Sequence, residues 1–596
     1  MIRVRDLKVW FPLRRGLLRE LLGGNPQWVR ALDGVSFDVK RGELFCLVGE
    51  SGCGKTTTGK AMLGLVDATE GDILLEMPEE EYRTYEEVSR KRGDTDAERT
   101  KHELRRRYSL TWKEMVPWTK RQTLTLAAFI LAALLSSILL PAGILGLLTV
   151  PFVSSWITLG ASLVVGFTLG AVGTMPPTRP HRRTAVVLAA LGVAAMLVLP
   201  IPAYFFYRAR GGADAPAADP GNYLATAWNN DLFGMLLAIV FAPSVAGGVA
   251  RTAISARQQA EGLAGIRMRN LRRRLQLIFQ DPYESLNPKQ SVYEIVCEPL
   301  QVNRVVTNPE EMSNLVVSAL KDAGLRPPEE FMFRFPHELS GGQRQRVSIA
   351  AALVLQPDFI VADEPVSMLD VSIRTEILQL MMDLRRTRGI TYLFITHDLG
   401  LAWVLADRIA VMYLGKIVEI GTVEQVIATP KHPYTQALIS VVPSPDPRHR
   451  SQRMILKGER PDPVNIPTGC RFHPRCPVAF EKCGWEAHEV AEELQDALAA
   501  SPLAGVGPLR VVDPLTLVAA GNPADSAAVA LRDLVARLRE QRRAFFGIAS
   551  IEPEGGRVLV RLHPGIEPPL IEVQPGNAVA CHLVATPKVP EPAVMA

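Results

Sequence analysis

The chain has 596 residues, a length that allows roughly three to five domains. Its formal net charge is only +4, so charge gives no reason to expect nucleic acid as the main partner. Hydrophobic residues make up 47% and charged residues 21%, with a mean hydropathy of +0.11, a mixture that suggests charged cytosolic domains joined to something membrane-embedded.

Residues 1–11 alternate charged and apolar side chains, read as a strand, and lack the apolar core of a secretory signal. A basic, Gly-containing loop follows, then a second strand over 29–39. Trp10, Phe11 and Trp28 lie upstream of what comes next; one of them could stack on an adenine, the competing reading being a core aromatic. Residues 44–48 are a short apolar run of buried-strand type. They lead into Gly49-Glu50-Ser51-Gly52-Cys53-Gly54-Lys55-Thr56, which fits G-x-x-x-x-G-K-[ST], and residues 57–65 can continue as a helix. In that strand–loop–helix setting the glycines turn backbone N–H groups inward around phosphate oxygens, and the helix N-terminus adds partial positive charge. Lys55 is then expected to reach the β- and γ-phosphates and the Thr56 hydroxyl to ligate Mg²⁺.

After residue 76 the composition changes. Residues 78–121 are dense in both charge signs, suit solvated helix, and become basic at Arg105, Arg106, Arg107, Lys113, Lys120 and Arg121. Residues 123–174 then hold no charged side chain. A membrane span needs about 20 apolar residues, so this run is expected to hold two, with a turn near 141–151. Residues 185–207 are a third candidate span and 232–249 a shorter fourth; the alternative is buried core helix. Nucleotide motifs lie on both sides of the block, so both flanks must share a compartment and the number of spans must be even. Arg179, Arg182 and Arg183 between spans two and three, and Arg251 and Arg257 after span four, mark those loops as cytosolic, leaving 208–231 outside.

Past the block, residues 275–279 read as a strand ending at Gln280. Leu339-Ser340-Gly341-Gly342-Gln343 opens a helix with an apolar body over 347–355. A buried strand at 359–362 ends in Asp363-Glu364, and another at 392–395 ends in Thr396-His397-Asp398. A carboxylate at a strand tip can hold Mg²⁺ through water while its neighbour orients the attacking water, which assigns Asp363 to the metal and Glu364 to the base. His397 is placed to hydrogen-bond the γ-phosphate.

With these motifs in this order the chain resembles the ATP-binding subunit of an ABC transporter. The set is complete: residues 49–56, Gln280, Leu339 to Gln343, Asp363-Glu364, Leu369-Asp370 and His397. The resemblance is to the oligopeptide/dipeptide importer group, on Phe279-Gln280-Asp281-Pro282-Tyr283, Ser285-Leu286-Asn287-Pro288, His432-Pro433-Tyr434-Thr435, Val442-Pro443 and Gly469-Cys470-Arg471-Phe472-His473-Pro474-Arg475-Cys476-Pro477. It covers roughly 1–76, 271–485 and 568–583. It implies an α/β P-loop ATPase with a RecA-like core plus helical and antiparallel β subdomains, here with an inserted four-helix transmembrane block.

The resemblance also implies an ATP site of Phe11, Gly49, Glu50, Ser51, Gly52, Cys53, Gly54, Lys55, Thr56 and Thr57, completed by Ser340, Gly341, Gly342, Gln343 and Asp370 in a head-to-tail pair. Thr56, Gln280 and Asp363 would serve Mg²⁺, and Glu364, His397 and Gln280 the chemistry. The implied partners are a second ATPase subunit or copy, two integral-membrane permeases touched by residues 281–288, an extracytoplasmic solute-binding protein and the lipid bilayer. The implied place is the inner membrane, multi-pass, with a cytoplasmic ATPase domain. The rival readings are a half-transporter exporting through its own spans and a membrane-anchored ATP-dependent switch.

The domain divisions expected are 1–76 and 251–430 for the ATPase, 77–122 charged, 123–250 transmembrane, 431–485 importer-type C-terminal region, 486–566 a helical insertion and 567–596 a tail. Of seven cysteines, Cys470, Cys476, Cys483 and Cys581 suit a thiolate site for an iron–sulfur cluster or Zn²⁺. Their spacing matches no short zinc motif, and the alternative is reduced structural thiols. The family resemblance favours [4Fe–4S]. Cys46, Cys53 and Cys297 read as packing or loop residues.

Overall fold

The computed structural model describes residues 1–13, 27–91, 94–110, 270–442, 453–456 and 458–585. The expected four-span block at 123–250 lies outside the described residues, as do Lys113, Lys120 and Arg121. Among the described residues no helix is long and apolar enough to cross a membrane.

Strands β1 (Ile2–Pro12) and β2 (Trp28–Val39) pair antiparallel. The chain then runs through β3 (Leu44–Val48), the glycine loop and α1 (Lys55–Met62) to β4 (Glu70–Leu75), which pairs with β1 in a small sheet ordered β2-β1-β4. Two charged helices follow, α2 (Glu79–Arg90) and α3 (Thr95–Tyr108). They are solvated as their composition dictates, and a narrow apolar seam of Tyr82, Tyr85 and Leu104 packs on Leu74 and Met77.

After β5 (Leu275–Ile278) comes a helical layer of α4 (Val292–Val302), α5 (Pro309–Asp322) and α6 (Gly341–Leu353). The chain continues as β6 (Phe359–Asp363), α7 (Val371–Arg388), β7 (Thr391–Thr396), α8 (Leu399–Leu405), β8 (Arg408–Tyr413), β9 (Lys416–Thr422) and α9 (Pro433–Ser440). The run β8-β3-β7-β6-β5 is parallel. Its strands are covered on both faces, which is why they read as unbroken apolar runs. Alternate residues feed different cores: Leu44, Cys46 and Val48 join Ile360, Tyr392 and Phe394 under the helical layer. Phe45 and Leu47 join Phe359, Val361 and Leu393 on the side of the small sheet.

The segment 486–566, expected as a helical insertion, holds two α-helices and four strands. These are α10 (Ala487–Ala500), β10 (Val506–Asp513), β11 (Thr516–Gly521), α11 (Ala524–Leu538), β12 (Ile548–Glu554) and β13 (Arg557–Leu562). The four strands form an antiparallel sheet ordered β10-β11-β13-β12. The reason is a period-two pattern: Val558, Val560 and Leu562 are buried while Arg557 and Arg561 are exposed, and Gly555-Gly556 makes the turn. The module has its own core of Leu494, Leu517, Leu531, Phe545 and Val560. Beyond it, β14 (Ile571–Gln574) and β15 (Asn577–Val579) return to the main sheet, where β15 pairs antiparallel with β9.

Candidate nucleotide site

The glycine loop joins the tip of β3 to α1. Gly54 sits at φ +109°, and a Cβ there would fall 2.4 Å from the Ala31 carbonyl oxygen, so the turn into α1 requires glycine. Lys55 is buried and its Nζ donates to the carbonyl oxygens of Gly49 at 2.7 Å and Glu50 at 3.1 Å. The ammonium is thus held across the mouth of the loop, where phosphate oxygens can replace the carbonyls.

The strand tips converge on this loop. Thr56 Oγ1 donates to Asp363 Oδ1 at 3.0 Å, uniting the two side chains assigned to Mg²⁺. Burial raises the Asp363 pKa above its ordinary value, the charge of Glu364 adds to the rise and the Thr56 hydrogen bond opposes it. A divalent cation beside it would reverse that balance. Glu364 Oε2 accepts from Gln280 Nε2 at 3.2 Å and meets His397 Nδ1 at 3.0 Å, so three residues from three strand ends share one carboxylate oxygen. Glu364 has φ +46°, the left-handed region, which costs a non-glycine residue about 1–3 kcal/mol. The Glu364 amide donates to the Ile395 carbonyl and the Ser367 hydroxyl donates to the Glu364 carbonyl, which pins that backbone.

Other expected residues lie apart from this cluster. Ser340 caps α6 in a reciprocal box: Gln343 N–H donates to Ser340 Oγ at 3.3 Å, and Ser340 N–H donates to Gln343 Oε1 at 3.0 Å. Gly342 is buried and Gly341 half-buried at that helix start. Asp370 is exposed at the N-terminus of α7. Phe11 is 41% exposed near the end of β1, opposite Val29, as a stacking residue requires. Thr57 is half-buried in the first turn of α1.

The C-terminal region also meets the loop, which the sequence reading did not anticipate. Glu50 N–H donates to Tyr434 Oη at 3.0 Å, and the Glu50 carboxylate takes two bonds from Arg475, at 2.9 and 3.1 Å. The Arg460 guanidinium donates to the Ser51 carbonyl. Tyr434 and Arg475 belong to motifs that served only to mark a subgroup; a charged residue inside a buried, cysteine-flanked turn was the available signal.

The same region gathers the tail thiols. Gly469 and Gly484 pack backbone on backbone, a Cβ on Gly469 falling 2.6 Å from the Cys483 carbonyl oxygen, and Cys470 N–H donates to that oxygen at 2.8 Å. The insertion closes on itself here: Ile566 N–H donates to the Lys482 carbonyl, and β15 delivers Cys581. Burial raises the thiol pKa values of all four cysteines, to about 12 at Cys476 and about 11 at Cys483. The nearby thiols push Cys470, Cys476 and Cys483 further up. Cys470 and Cys476 lie between the ATPase core and the core of the inserted module. Among the described residues, however, no three His, Cys, Asp or Glu side chains stand in an arrangement that could hold a metal ion. The four thiols lie in one region of the fold, and the iron–sulfur or zinc geometry expected of them is not present. Cys46, Cys53 and Cys297 are buried, as packing residues should be.

Residues 32–130 and 245–367 match the family described as ABC transporter, and residues 418–483 match the oligopeptide/dipeptide transporter C-terminal region. A putative peptide import ATP-binding protein of Brucella ovis is 47% identical over 230 residues, 39% of this chain and 72% of that protein. The dipeptide transport ATP-binding protein DppF of Haemophilus influenzae is 50% identical over 212 residues, 36% of this chain and 64% of its own length. A putative oligopeptide transport ATP-binding protein of Bacillus subtilis, YkfD, is 49% identical over 223 residues, covering 37% and 67%. The loop, the paired carboxylates and the C-terminal region thus have their counterparts in one place: this chain belongs to the ABC transporter ATP-binding proteins that carry the oligopeptide/dipeptide C-terminal region.

Proposed function

We propose that this chain hydrolyses ATP to drive import of oligopeptides, dipeptides or a related solute through partner permeases. The observation that carries the reading is the convergence of Thr56, Asp363, Glu364, Gln280 and His397 on the loop that holds Lys55. In the mechanism, Lys55 exchanges its two carbonyl partners for β- and γ-phosphate oxygens. Thr56, Asp363 and Gln280 would hold Mg²⁺, which would neutralise charge on the phosphates. Glu364, oriented by Gln280 and by Nδ1 of His397, accepts a hydrogen bond from the attacking water, and His397 offers its Nε2 to the γ-phosphate. The start of α6, with the Ser340 hydroxyl and the N–H groups of Gly341 and Gly342, completes the site of a second ATPase subunit, and ATP then favours the closed pair while hydrolysis releases it.

Residues 123–250 are assigned four membrane spans, which places the chain in the inner membrane with its ATPase domain in the cytosol. Supporting this are the charge-free run at 123–174 and the two-part family match, whose gap at 131–244 falls inside the block. The domain divisions at 1–76, 77–122, 251–430, 431–485, 486–566 and 567–596 follow the composition and motif limits. The solute-binding protein and the bilayer are further partners on this reading. Cys470, Cys476, Cys483 and Cys581 are assigned to one structural thiolate site for an iron–sulfur cluster or Zn²⁺ on the softness of the donor set and the family resemblance, an assignment that requires the thiols to close in from their present arrangement.

Purification from membranes tests the main reading. Two co-purifying permeases and peptide-stimulated ATP hydrolysis are expected; a chain that purifies alone and whose ATPase ignores peptides and permeases overturns import.

A further inference from the structure

We propose that Tyr434 and Arg475 are positioning residues for ATP binding: through Glu50 they set the place of the phosphate loop. They grip one residue in two independent ways. Tyr434 Oη accepts from the Glu50 backbone N–H at 3.0 Å, and Arg475 bonds both oxygens of its carboxylate at 2.9 and 3.1 Å. A two-pronged guanidinium–carboxylate pair fixes orientation as well as distance. It is well shielded, the side chains being 11% exposed at Arg475 and 28% at Glu50.

Both gripping residues are themselves immobilised. Tyr434 is fully buried, with its ring edge-on to Tyr413 at 4.8 Å and tilted against Phe472 at 5.3 Å. Arg475 ends a single helical turn whose N–H groups bond back to Cys470 and Phe472, and its Nη1 also reaches Tyr413 Oη at 3.5 Å. Glu50 in turn forms part of the cradle of the catalytic ammonium, since the carbonyls of Gly49 and Glu50 are the ones that hold Lys55 Nζ. A contact serving only to fasten the C-terminal region could lie anywhere on the ATPase surface. This one lies next to the first glycine of the loop, so a shift of Glu50 moves the acceptors from which Lys55 must pass to phosphate.

The inference rests on the reading of residues 49–56 as the ATP loop. The test uses the full chain in its purified complex, with KM for MgATP, kcat, binding of the fluorescent analogue methylanthraniloyl-ATP, and Tm. Arg475→Ala is expected to raise KM about tenfold while kcat stays within about twofold, the pattern of lost binding rather than lost chemistry. Tyr434→Phe should raise KM about threefold, and Arg475→Lys should restore part of the loss, because it keeps charge without the two-pronged geometry. Glu50→Ala should match Arg475→Ala, and the double variant should be no worse than either. Arg542→Ala, which breaks an ion pair with Glu493 inside the inserted module, should lower Tm without changing KM. If Arg475→Ala does not fold, Arg475→Lys and Tyr434→Phe decide. Folded variants with KM within twofold of the parent, or an equal KM rise in Arg542→Ala, overturn the proposal. Failure of the parent protein to bind the analogue overturns the ATP reading instead.

Discussion

Thr56 and Asp363 lie 307 positions apart in the chain, yet Thr56 Oγ1 donates to Asp363 Oδ1 at 3.0 Å. The bond joins the first turn of α1 to the tip of β6, two strands away from β3 across β7. It places a hydroxyl and a carboxylate on one side of the loop before any metal arrives.

Lys55 and Glu364 should separate binding from hydrolysis. Lys55→Ala removes the ammonium from the loop and should weaken ATP binding by at least tenfold. Glu364→Gln keeps the shape and the contact to Gln280 but removes the water-orienting charge, so it should bind ATP normally and hold the closed pair with kcat reduced by about a hundredfold or more. Nucleotide-binding and steady-state ATPase assays check both, and normal turnover in Glu364→Gln would contradict the assignment of the base.

The four assigned spans predict sidedness. A cysteine placed at Asp214 should react with an impermeant reagent from outside intact cells, and one at Arg182 only after the cells are opened. Labelling of both from one side rejects the four-span arrangement.

The thiol site predicts metal content. Anaerobically purified protein should be brown with about four irons per chain if the cluster is [4Fe–4S], and Cys581→Ser should lose most of the iron. One zinc without colour would keep the site and change its occupant; absence of both metals would reject it. The long excursion from Cys483 to Cys581 is no obstacle, because closure entropy grows only logarithmically with loop length and the insertion's ends already meet at Ile566 and Lys482.

His432 gives the protein an acid-sensitive joint. Burial lowers its pKa from 6.5 to about 3, with a backbone contact to Ala580 opposing the fall. The unfolded chain therefore takes up a proton near pH 6.5 that the folded chain refuses, so this contribution is full above pH 6.5 and lost progressively down to about pH 3. His432 Nδ1 also accepts from Tyr434 N–H at the start of α9. His432→Asn keeps a capping acceptor without the titration and should lose stability less steeply over that range. Identical slopes in thermal melts from pH 7 to pH 4 would refute this.

Much of the fold was legible because it is local. The apolar run at 44–48 is a strand in any context that covers both its faces, and the glycines of residues 49–56 can only turn sharply before a helix. The same locality gave the ends of β6 and β7 and hence Asp363, Glu364 and His397. The strands of the insertion at 486–566 were not legible because β10 and β12 each bury only one residue, so they carry little alternation, and their pairing with β11 and β13 is tertiary.

By itself the sequence determined the nucleotide loop, the carboxylate pair and the subgroup motifs, since each is a contiguous run whose backbone geometry and side-chain chemistry need no distant partner. Only the tertiary structure decided that Glu50 is gripped by Tyr434 and Arg475, that Gln280 and His397 share one oxygen of Glu364, and that the segment leading to Cys581 returns to β9. Those relationships depend on the order of strands in one sheet and on β15 pairing with β9. Strand order is settled by the packing of both sheet faces at once, which no single stretch of the chain encodes.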